Sequence, residues 1–103
     1  MKNSTYHIFF RNLATPLRVE ILACLKEKDK TVGELCKEIK VEQSKLSHAL
    51  ANLRACNIVH VKQKGKERVY SLNKKTILPI LKLIDSHSKL NCSGNCAFCT
   101  IQH

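Results

Sequence analysis

The sequence contains no apolar stretch long enough to cross a membrane. Its longest apolar runs fall far short of the ~20 residues that a transmembrane helix requires. The opening segment, MKNSTYHIFFRN, has neither the apolar core nor the small-residue cleavage site of a signal peptide. We therefore expect a cytoplasmic protein without a membrane partner, in which cysteine thiols stay reduced.

Catalytic constellations are also missing. The chain shows no phosphate-binding loop, no paired carboxylate site and no nucleophile–base arrangement that chemistry could use. We therefore predict that the protein is not an enzyme.

Acidic residues are scarce. There are 8 Asp and Glu against 18 Lys and Arg in 103 residues, which gives a formal net charge of +10. An excess of this size favours a polyanionic partner, either nucleic acid or an anionic membrane surface. A charged surface that only keeps the protein soluble is the alternative. The length allows one domain with a modest hydrophobic core.

Apolar residues recur with helical period in five segments. The second segment has Thr15 as its predicted N-cap and Pro16 at its first position, and the third opens with a capping box of Thr31 and Glu34. In the fifth, Pro79 is tolerable if Thr76 is the N-cap. The predicted helices cover residues 6–13, 15–28, 31–39, 43–56 and 76–88.

The period changes between the fourth and fifth helices. Residues 58–63 and 67–72 are rich in β-branched and aromatic side chains, and they flank a short turn that contains Gly65. This pattern predicts a β-hairpin with a basic tip. The fold class is thus mainly α with a small β-hairpin (α+β), a winged helix-turn-helix over residues 1–90, followed by a cysteine-rich tail over 91–103.

The fourth helix and the hairpin carry the side chains that suit DNA. Opposite its apolar stripe, the helix presents short or polar, non-acidic residues that can approach base edges: Ser44, Lys45, Ser47, His48, Ala51 and Asn52. Four basic residues cluster on the hairpin: Lys62, Lys64, Lys66 and Arg68. From Lys40 to Arg68, seven basic residues face two acidic ones, a local excess of +5. The pattern favours a helix in the major groove and a wing across phosphates.

The stretch EQSKLSHALANLRACNIVHVKQKGKERVYSL resembles the recognition helix and wing of the ArsR/SmtB repressors, and LATPLRVEIL resembles their second helix. The resemblance covers roughly residues 8 to 90. It implies a homodimeric DNA-binding repressor, and many such repressors release DNA when a metal, a metalloid or an oxidant is sensed. It also implies DNA-facing roles for Gln43, Ser44, Lys45, Ser47 and His48.

The first and last helices predict a dimer independently. Tyr6, Phe9, Phe10 and Leu13 form one apolar stripe, and the last helix has six aliphatic residues, more than a core of this size needs. Paired across a two-fold axis, such stripes form an interface. A homodimer would present two recognition helices to a pseudo-palindromic operator in double-stranded DNA.

Cys92, Cys96 and Cys99 form the main candidate ligand site. Their spacing lets three thiolates converge on one thiophilic ion, either trivalent arsenic or zinc, with an iron–sulfur cluster as a weaker option. Zinc would need a fourth ligand, for which His103, His87 or a residue of the partner chain in a dimer is available. Two alternatives stay open, a structural zinc with constitutive DNA binding and a thiol redox switch without metal. The spacing also resembles the cluster motif of radical SAM enzymes, but only four residues follow Cys99.

Weaker ligand candidates lie earlier in the chain. Cys36 matches the first cysteine of a family Cys-x-Cys motif, but Glu38 occupies the second position, so a small buried hydrophobe is the favoured interpretation. Asp85 and His87 resemble the start of the family's last-helix zinc site, whose downstream histidine pair is absent. Cys24 and Cys56, near helix ends, are predicted to be packing residues.

Overall fold

The computed structural model describes residues 3–91. In chain order the elements are α1 (Asn3–Leu13), α2 (Pro16–Glu27), β1 (Lys30–Thr31), α3 (Val32–Ile39), α4 (Gln43–Ala55), β2 (Val59–Lys64), β3 (Glu67–Leu72) and α5 (Ile77–Asn91). The five predicted helices and the hairpin are confirmed, whereas strand β1 was not predicted. None of the helices in this described stretch is long and apolar enough to span a membrane. The chain divides into two compact units, one ending at Asn73 and the other beginning at Lys74.

Local capping sets where α2 and α3 begin. Thr15 is the N-cap of α2, and its hydroxyl oxygen accepts a hydrogen bond from the backbone N–H of Arg18 at 3.3 Å. Pro16, which has no N–H to leave unpaired, is the first helical residue. At α3, the Thr31 hydroxyl accepts from the N–H of Glu34 and the Glu34 carboxylate accepts from the N–H of Thr31. Both starts are as the sequence predicts.

The α3–α4 pair is joined by a tight connection. Helix α3 ends at Ile39 and its C-cap is Lys40, which has a left-handed backbone (φ 59°, ψ 52°) and whose N–H donates to the Cys36 carbonyl at 2.8 Å. Helix α4 begins at Gln43, after Val41 and Glu42. A left-handed residue reverses the chain direction, so two short helices can follow each other at a steep angle.

The three strands form one antiparallel sheet in the order β1-β3-β2. Strands β2 and β3 make the hairpin, with Val59 opposite Leu72 at its base and Lys64 opposite Glu67 at its tip. Gly65, the first residue of the connecting turn, has a φ of 62° that an L-residue rarely adopts. We call β2, β3 and their turn the wing.

The hydrophobic core of the first unit lies between α2, α3, α4 and the sheet. Its fully buried apolar side chains come from every one of these elements or from their junctions: Ile21, Leu35, Leu46, Leu50, Leu53, Ile58 and Val59. Helix α1 contributes no buried residue, and Tyr6, Ile8 and Phe10 are all about half exposed or more. Phe9 and Leu13 are half-buried, so part of the apolar surface of α1, at Tyr6, Ile8 and Phe10, stays exposed in a single chain.

The second unit is built on α5. Its first turn contains Pro79, and the Ile80 N–H donates to the Thr76 carbonyl at 3.4 Å, so the proline falls where the sequence predicts it is tolerated. Leu83, Ile84 and Leu90 are 70%, 51% and 82% exposed. The aliphatic face of α5 therefore also stays uncovered over these residues.

The prediction for Cys56 was wrong. This cysteine is exposed, and its Sγ accepts a hydrogen bond from Nδ2 of Asn12 at 3.1 Å, rather than packing in the core. Cys24 and Cys36 are half-buried. Burial, together with a hydrogen bond to Glu38, raises the pKa of the Cys24 thiol above its ordinary value, which disfavours the reactive thiolate.

Candidate nucleic-acid interface

Helix α4 separates its apolar and polar residues onto two faces. Leu46, Ala49, Leu50 and Leu53 are buried against the core. The predicted DNA-facing residues lie on the other side. Asn52 is half-buried. The other five are exposed: Gln43, Ser44, Lys45, Ser47 and His48. Because the core holds one face of α4 in place, the other face is presented to solvent as a rigid polar surface without any carboxylate.

The N-terminus of α4 lacks the side-chain cap that α2 and α3 have. Its N-cap, Glu42, makes no side-chain capping hydrogen bond, and the first turn contains no acidic residue. The backbone N–H groups of this turn therefore keep their hydrogen-bonding capacity, and the helix dipole adds partial positive charge at the same end. A phosphate is the type of group that such an end attracts.

A groove of about 450 Å³ runs between the start of α2 and the first half of α4. Arg18 lines this groove together with Lys45 and His48. The guanidinium of Arg18 is held in place, because Nη1 donates to the Asn12 carbonyl oxygen at 3.0 Å. No sequence pattern marks Arg18 as a candidate, since only the packing of α2 beside α4 brings it to this surface.

The four basic residues of the wing are all exposed, but they do not share one face. Lys62 lies opposite Val69, and Gln63 lies opposite Arg68. Side chains alternate along a strand, and directly opposite residues share a face, so Lys62 and Lys64 lie on one side and Arg68 on the other. Lys66 lies in the turn. The four basic residues predicted to cluster are therefore distributed over both faces of the wing and its tip.

A second cavity, of about 400 Å³, lies between the wing and the start of α3. Gln63, Lys66 and Arg68 line it from the wing, and Thr31 and Gly33 line it from β1 and α3. The Arg68 face of the wing is therefore the face that is turned towards the helix-turn-helix.

Three of the weaker candidate metal ligands lie among the described residues. Cys36 is half-buried on α3, and Asp85 and His87 are exposed on α5. Within residues 3–91, no three His, Cys, Asp or Glu side chains form a group that could hold a metal ion. Cys92, Cys96, Cys99 and His103 lie outside the described residues.

The segment from α2 to the start of β2, which contains the helix-turn-helix, corresponds to a known family. The family described as "Bacterial regulatory protein, arsR family" matches residues 15–61, which run from the N-cap of α2 into β2. The chain belongs to the ArsR family. This membership confirms the resemblance seen in the sequence. The family and the relatives are transcriptional regulators, which supports the prediction that the protein is not an enzyme.

Relatives and solved structures agree with the family assignment. The HTH-type transcriptional regulator Rv0081 of Mycobacterium tuberculosis is 38% identical over 74 residues, which are 71% of this chain and 65% of that protein. Its crystal structure matches with a TM-score of 0.80 and 32% identity, covering 87% of this chain and 91% of that one. HlyU from Vibrio cholerae matches with a TM-score of 0.74 and 26% identity, covering 89% and 99%. The fold is therefore a winged helix-turn-helix.

The transcriptional repressor SdpR of Bacillus subtilis is 31% identical over 64 residues, which are 62% of this chain and 71% of that protein. HlyU, by contrast, is named a transcriptional activator. The chain spans less than two thirds of the length of the first relatives it matches. The relatives therefore include both a repressor and an activator.

Proposed function

We propose that this protein is a sequence-specific DNA-binding transcriptional repressor that acts as a homodimer. The observation that carries the proposal is the exposed, non-acidic face of α4, held rigidly by its buried leucines and flanked by a basic wing. With α4 in the major groove, Ser44 and His48 meet base edges. The wing and the start of α4 meet phosphates, which carry no sequence information but fix the register.

The direct test is binding to duplex DNA as a function of salt. A sequence selected from a random duplex pool and an unselected duplex are titrated side by side. Wild-type protein is expected to prefer the selected duplex, and its log K is expected to fall linearly with log salt concentration on both duplexes. Replacing Lys64 and Lys66 with Ala should flatten that slope by about 0.9 for each phosphate that the variant no longer neutralises. A wild-type protein that shows neither a preference nor a salt dependence would refute the proposal.

The repressor assignment has a simple physical basis. The relative SdpR is named a transcriptional repressor, and a dimer that covers its operator keeps polymerase off the same DNA. We propose that the protein acts in the cytoplasm, together with the DNA that it binds. A reporter placed behind the selected sequence should be more active in cells that lack the protein. Lower activity in those cells would make the protein an activator, as its relative HlyU is named.

The dimer proposal is supported by the exposed apolar residues of two helices, each considered by itself. Tyr6, Ile8 and Phe10 on α1 and Leu83 and Ile84 on α5 are half exposed or more, although large apolar side chains gain free energy when they leave water. A two-fold axis relates identical patches, so each stripe can be covered by a partner chain.

We further propose that thiol chemistry at Cys92, Cys96 and Cys99 controls DNA affinity. These are three of the six cysteines, and they lie within the eight residues 92–99. The segment follows directly after α5, the helix that we assign to the dimer interface. Three thiolates suit trivalent arsenic, and they suit zinc if His103 or His87 adds a fourth ligand. An ion alters DNA affinity only if it binds the DNA-competent and incompetent dimers differently.

The matched variant has serine at Cys92, Cys96 and Cys99 together. Arsenite should weaken wild-type DNA binding and leave the triple-serine protein unaffected, and duplex DNA should weaken arsenite binding by the same factor. Zinc bound in purified protein without any effect on DNA affinity would favour a structural site. Release of DNA by peroxide alone would favour a redox switch. A response that survives in the triple-serine protein would place the sensor at other residues, with Cys36, Asp85 and His87 next in line.

A further inference from the structure

Lys30 is a buried charge at the edge of the sheet. Its side chain is only 1% exposed, and lysine is almost never buried to this extent unless it is paired. Nζ donates to Oε2 of Glu38 at 2.7 Å and to Oε2 of Glu27 at 3.4 Å. The side chains of Glu38 and Glu27 are 43% and 76% exposed. The ammonium is thus enclosed by protein, and it binds carboxylates of α3 and α2 that water still reaches.

Both residues of β1 are bound to α3. Lys30 binds Glu38, and the N–H of Thr31 donates to Oε1 of Glu34 at 2.9 Å. Glu34 and Glu38 are four residues apart, so they lie on the same side of the helix. Two neighbouring residues of the strand therefore contact two neighbouring carboxylates of the first helix of the helix-turn-helix.

The same two residues also hold the wing. In the sheet, Lys30 lies opposite Tyr70 and Thr31 lies opposite Val69, both in the strand β3 that continues to the wing tip. Because the strand order is β1-β3-β2, β1 forms one edge of the sheet. A strand of two residues has little pairing energy of its own, so its contacts to α3 decide whether it stays in place.

The other edge of the sheet is attached to α4. Strand β2 begins directly after Ile58, whose N–H donates to the Leu53 carbonyl at 2.9 Å. The wing is thus connected to the recognition helix along one edge and to α3 along the other. If the β1 edge is released, the wing can pivot about its attachment to α4.

We propose that Lys30 is a positioning residue for DNA binding. It does not touch DNA; it holds the wing at the distance from α4 at which both elements meet one duplex. This inference rests on the proposed DNA-binding function. A rigid pair of contact elements binds with less loss of conformational entropy than a mobile pair, so the wing's phosphate contacts depend on the ion pair behind it.

The test variant is Lys30→Met, which keeps an unbranched side chain of similar length in the buried site and removes the ammonium. Binding to a random-sequence duplex is measured against salt concentration, at a temperature where circular dichroism shows the variant folded. We expect the slope of log K against log salt to be flatter by roughly one to two units, the change that corresponds to one or two fewer neutralised phosphates. Residual dipolar couplings of backbone amides should show the wing reoriented relative to α3 in free protein.

Glu27→Gln and Glu38→Gln complete the series. Glu38 is the nearer partner and Glu27 is both farther from Nζ and more exposed, so the slope should change more in Glu38→Gln than in Glu27→Gln. If Lys30→Met does not fold, Glu38→Gln decides alone, since the Glu38 side chain is partly in solvent and the change removes the carboxylate charge that pairs with Nζ. An unchanged slope in folded Glu38→Gln protein then overturns the inference.

The possible outcomes distinguish a failure of the proposed DNA-binding function from a failure of the inference about Lys30. Wild-type protein that does not bind the duplex at all overturns the proposed function and this inference with it. Wild-type protein that binds, together with a Lys30→Met protein of lower melting temperature but unchanged slope and unchanged dipolar couplings, overturns only the inference. In that case the ion pair contributes to stability and does not position the wing.

Discussion

Lys64 lies directly opposite Glu67, where the two strands of the wing meet the turn. Opposite residues in an antiparallel pair share a face, so the negative charge of Glu67 lowers the positive potential on the Lys64 side of the wing. Lys62 projects from the same face two residues earlier, whereas Arg68 projects from the other face. The tip of the wing is therefore less basic on its Lys64 side than a count of its lysines indicates.

Glu67→Gln should tighten binding to every duplex, whatever its sequence. The change removes the charge of an exposed carboxylate next to an exposed ammonium, and interactions between exposed charges are typically ~0.2–1 kcal/mol, so the expected gain is roughly 1.4- to fivefold. Glu20→Gln is the matched control, because Glu20 is an exposed carboxylate on α2 outside the wing. Fluorescence anisotropy on selected and unselected duplexes measures both variants. An equal gain in the two variants would show that only net charge matters.

His48→Ala should reduce discrimination between duplexes more than it reduces general affinity. His48 is exposed on the polar face of α4 and lines the groove beside Arg18. Removing a side chain that binds a base edge typically costs about 1–3 kcal/mol on the specific site. Lys66→Ala is the contrasting variant, since a phosphate contact should weaken both duplexes alike. An equal reduction in affinity on specific and random DNA for His48→Ala would place this side chain on the phosphates.

Ile84→Asp should dissociate the dimer. Ile84 is 51% exposed on α5. In the proposed interface, an aspartate at this position would be a buried carboxylate without a counter-ion, which costs several kcal/mol. Ser86→Asp is the control, because it adds the same charge at an exposed polar position of the same helix. Sedimentation velocity at micromolar concentration distinguishes the two. A dimer that stays intact in Ile84→Asp excludes this residue from the interface.

The parts of the fold that depend on local chemistry were predictable from the sequence. The starts of α2 and α3 follow from Thr15 with Pro16 and from the capping box of Thr31 with Glu34, all within a few residues of each other. The polar face of α4 follows from helical periodicity in the same way. Each signal acts within one or two turns, so no knowledge of the rest of the chain is needed.

The features that the sequence did not reveal depend on distant partners. Strand β1 has two residues and therefore no periodicity, and it exists because β3, some forty positions later, pairs with it. The burial of Lys30 follows from that pairing. Cys56 was wrongly predicted to pack, because its surroundings include Asn12 of α1 rather than core residues. The division of the wing's basic residues between two faces could have been predicted from the sequence, because side chains alternate between the two faces along a strand.

Folding stability should fall in acid partly through Glu34 and Glu38. A hydrogen bond from Lys30 lowers the pKa of the Glu38 carboxyl below its ordinary 4.5, and the backbone N–H of Thr31 lowers the pKa of Glu34. A lowered folded-state pKa stabilises the fold above the unfolded-state pKa, and this contribution disappears as pH falls through the folded-state value. Urea unfolding below about pH 5 should thus show a shallower pH dependence for Glu38→Gln than for wild type. Equal slopes would mean that the Lys30–Glu38 pair is not formed in solution.

Lys40→Gly should stabilise the helix-turn-helix. Lys40 has a φ of 59° and a ψ of 52°, a left-handed conformation that costs L-residues roughly 1–2 kcal/mol and costs glycine nothing. Glycine also gains freedom in the unfolded chain, which offsets about 0.4–1 kcal/mol, so the expected net gain is roughly 0.5–1 kcal/mol. Lys40→Ala is the matched control, because it removes the same exposed charge and keeps the Cβ. Thermal unfolding should place the glycine variant above the alanine variant by several degrees, on the order of 4–8 °C per kcal/mol for a domain of this size. An alanine variant as stable as the glycine variant would show that the turn between α3 and α4 does not adopt this left-handed conformation.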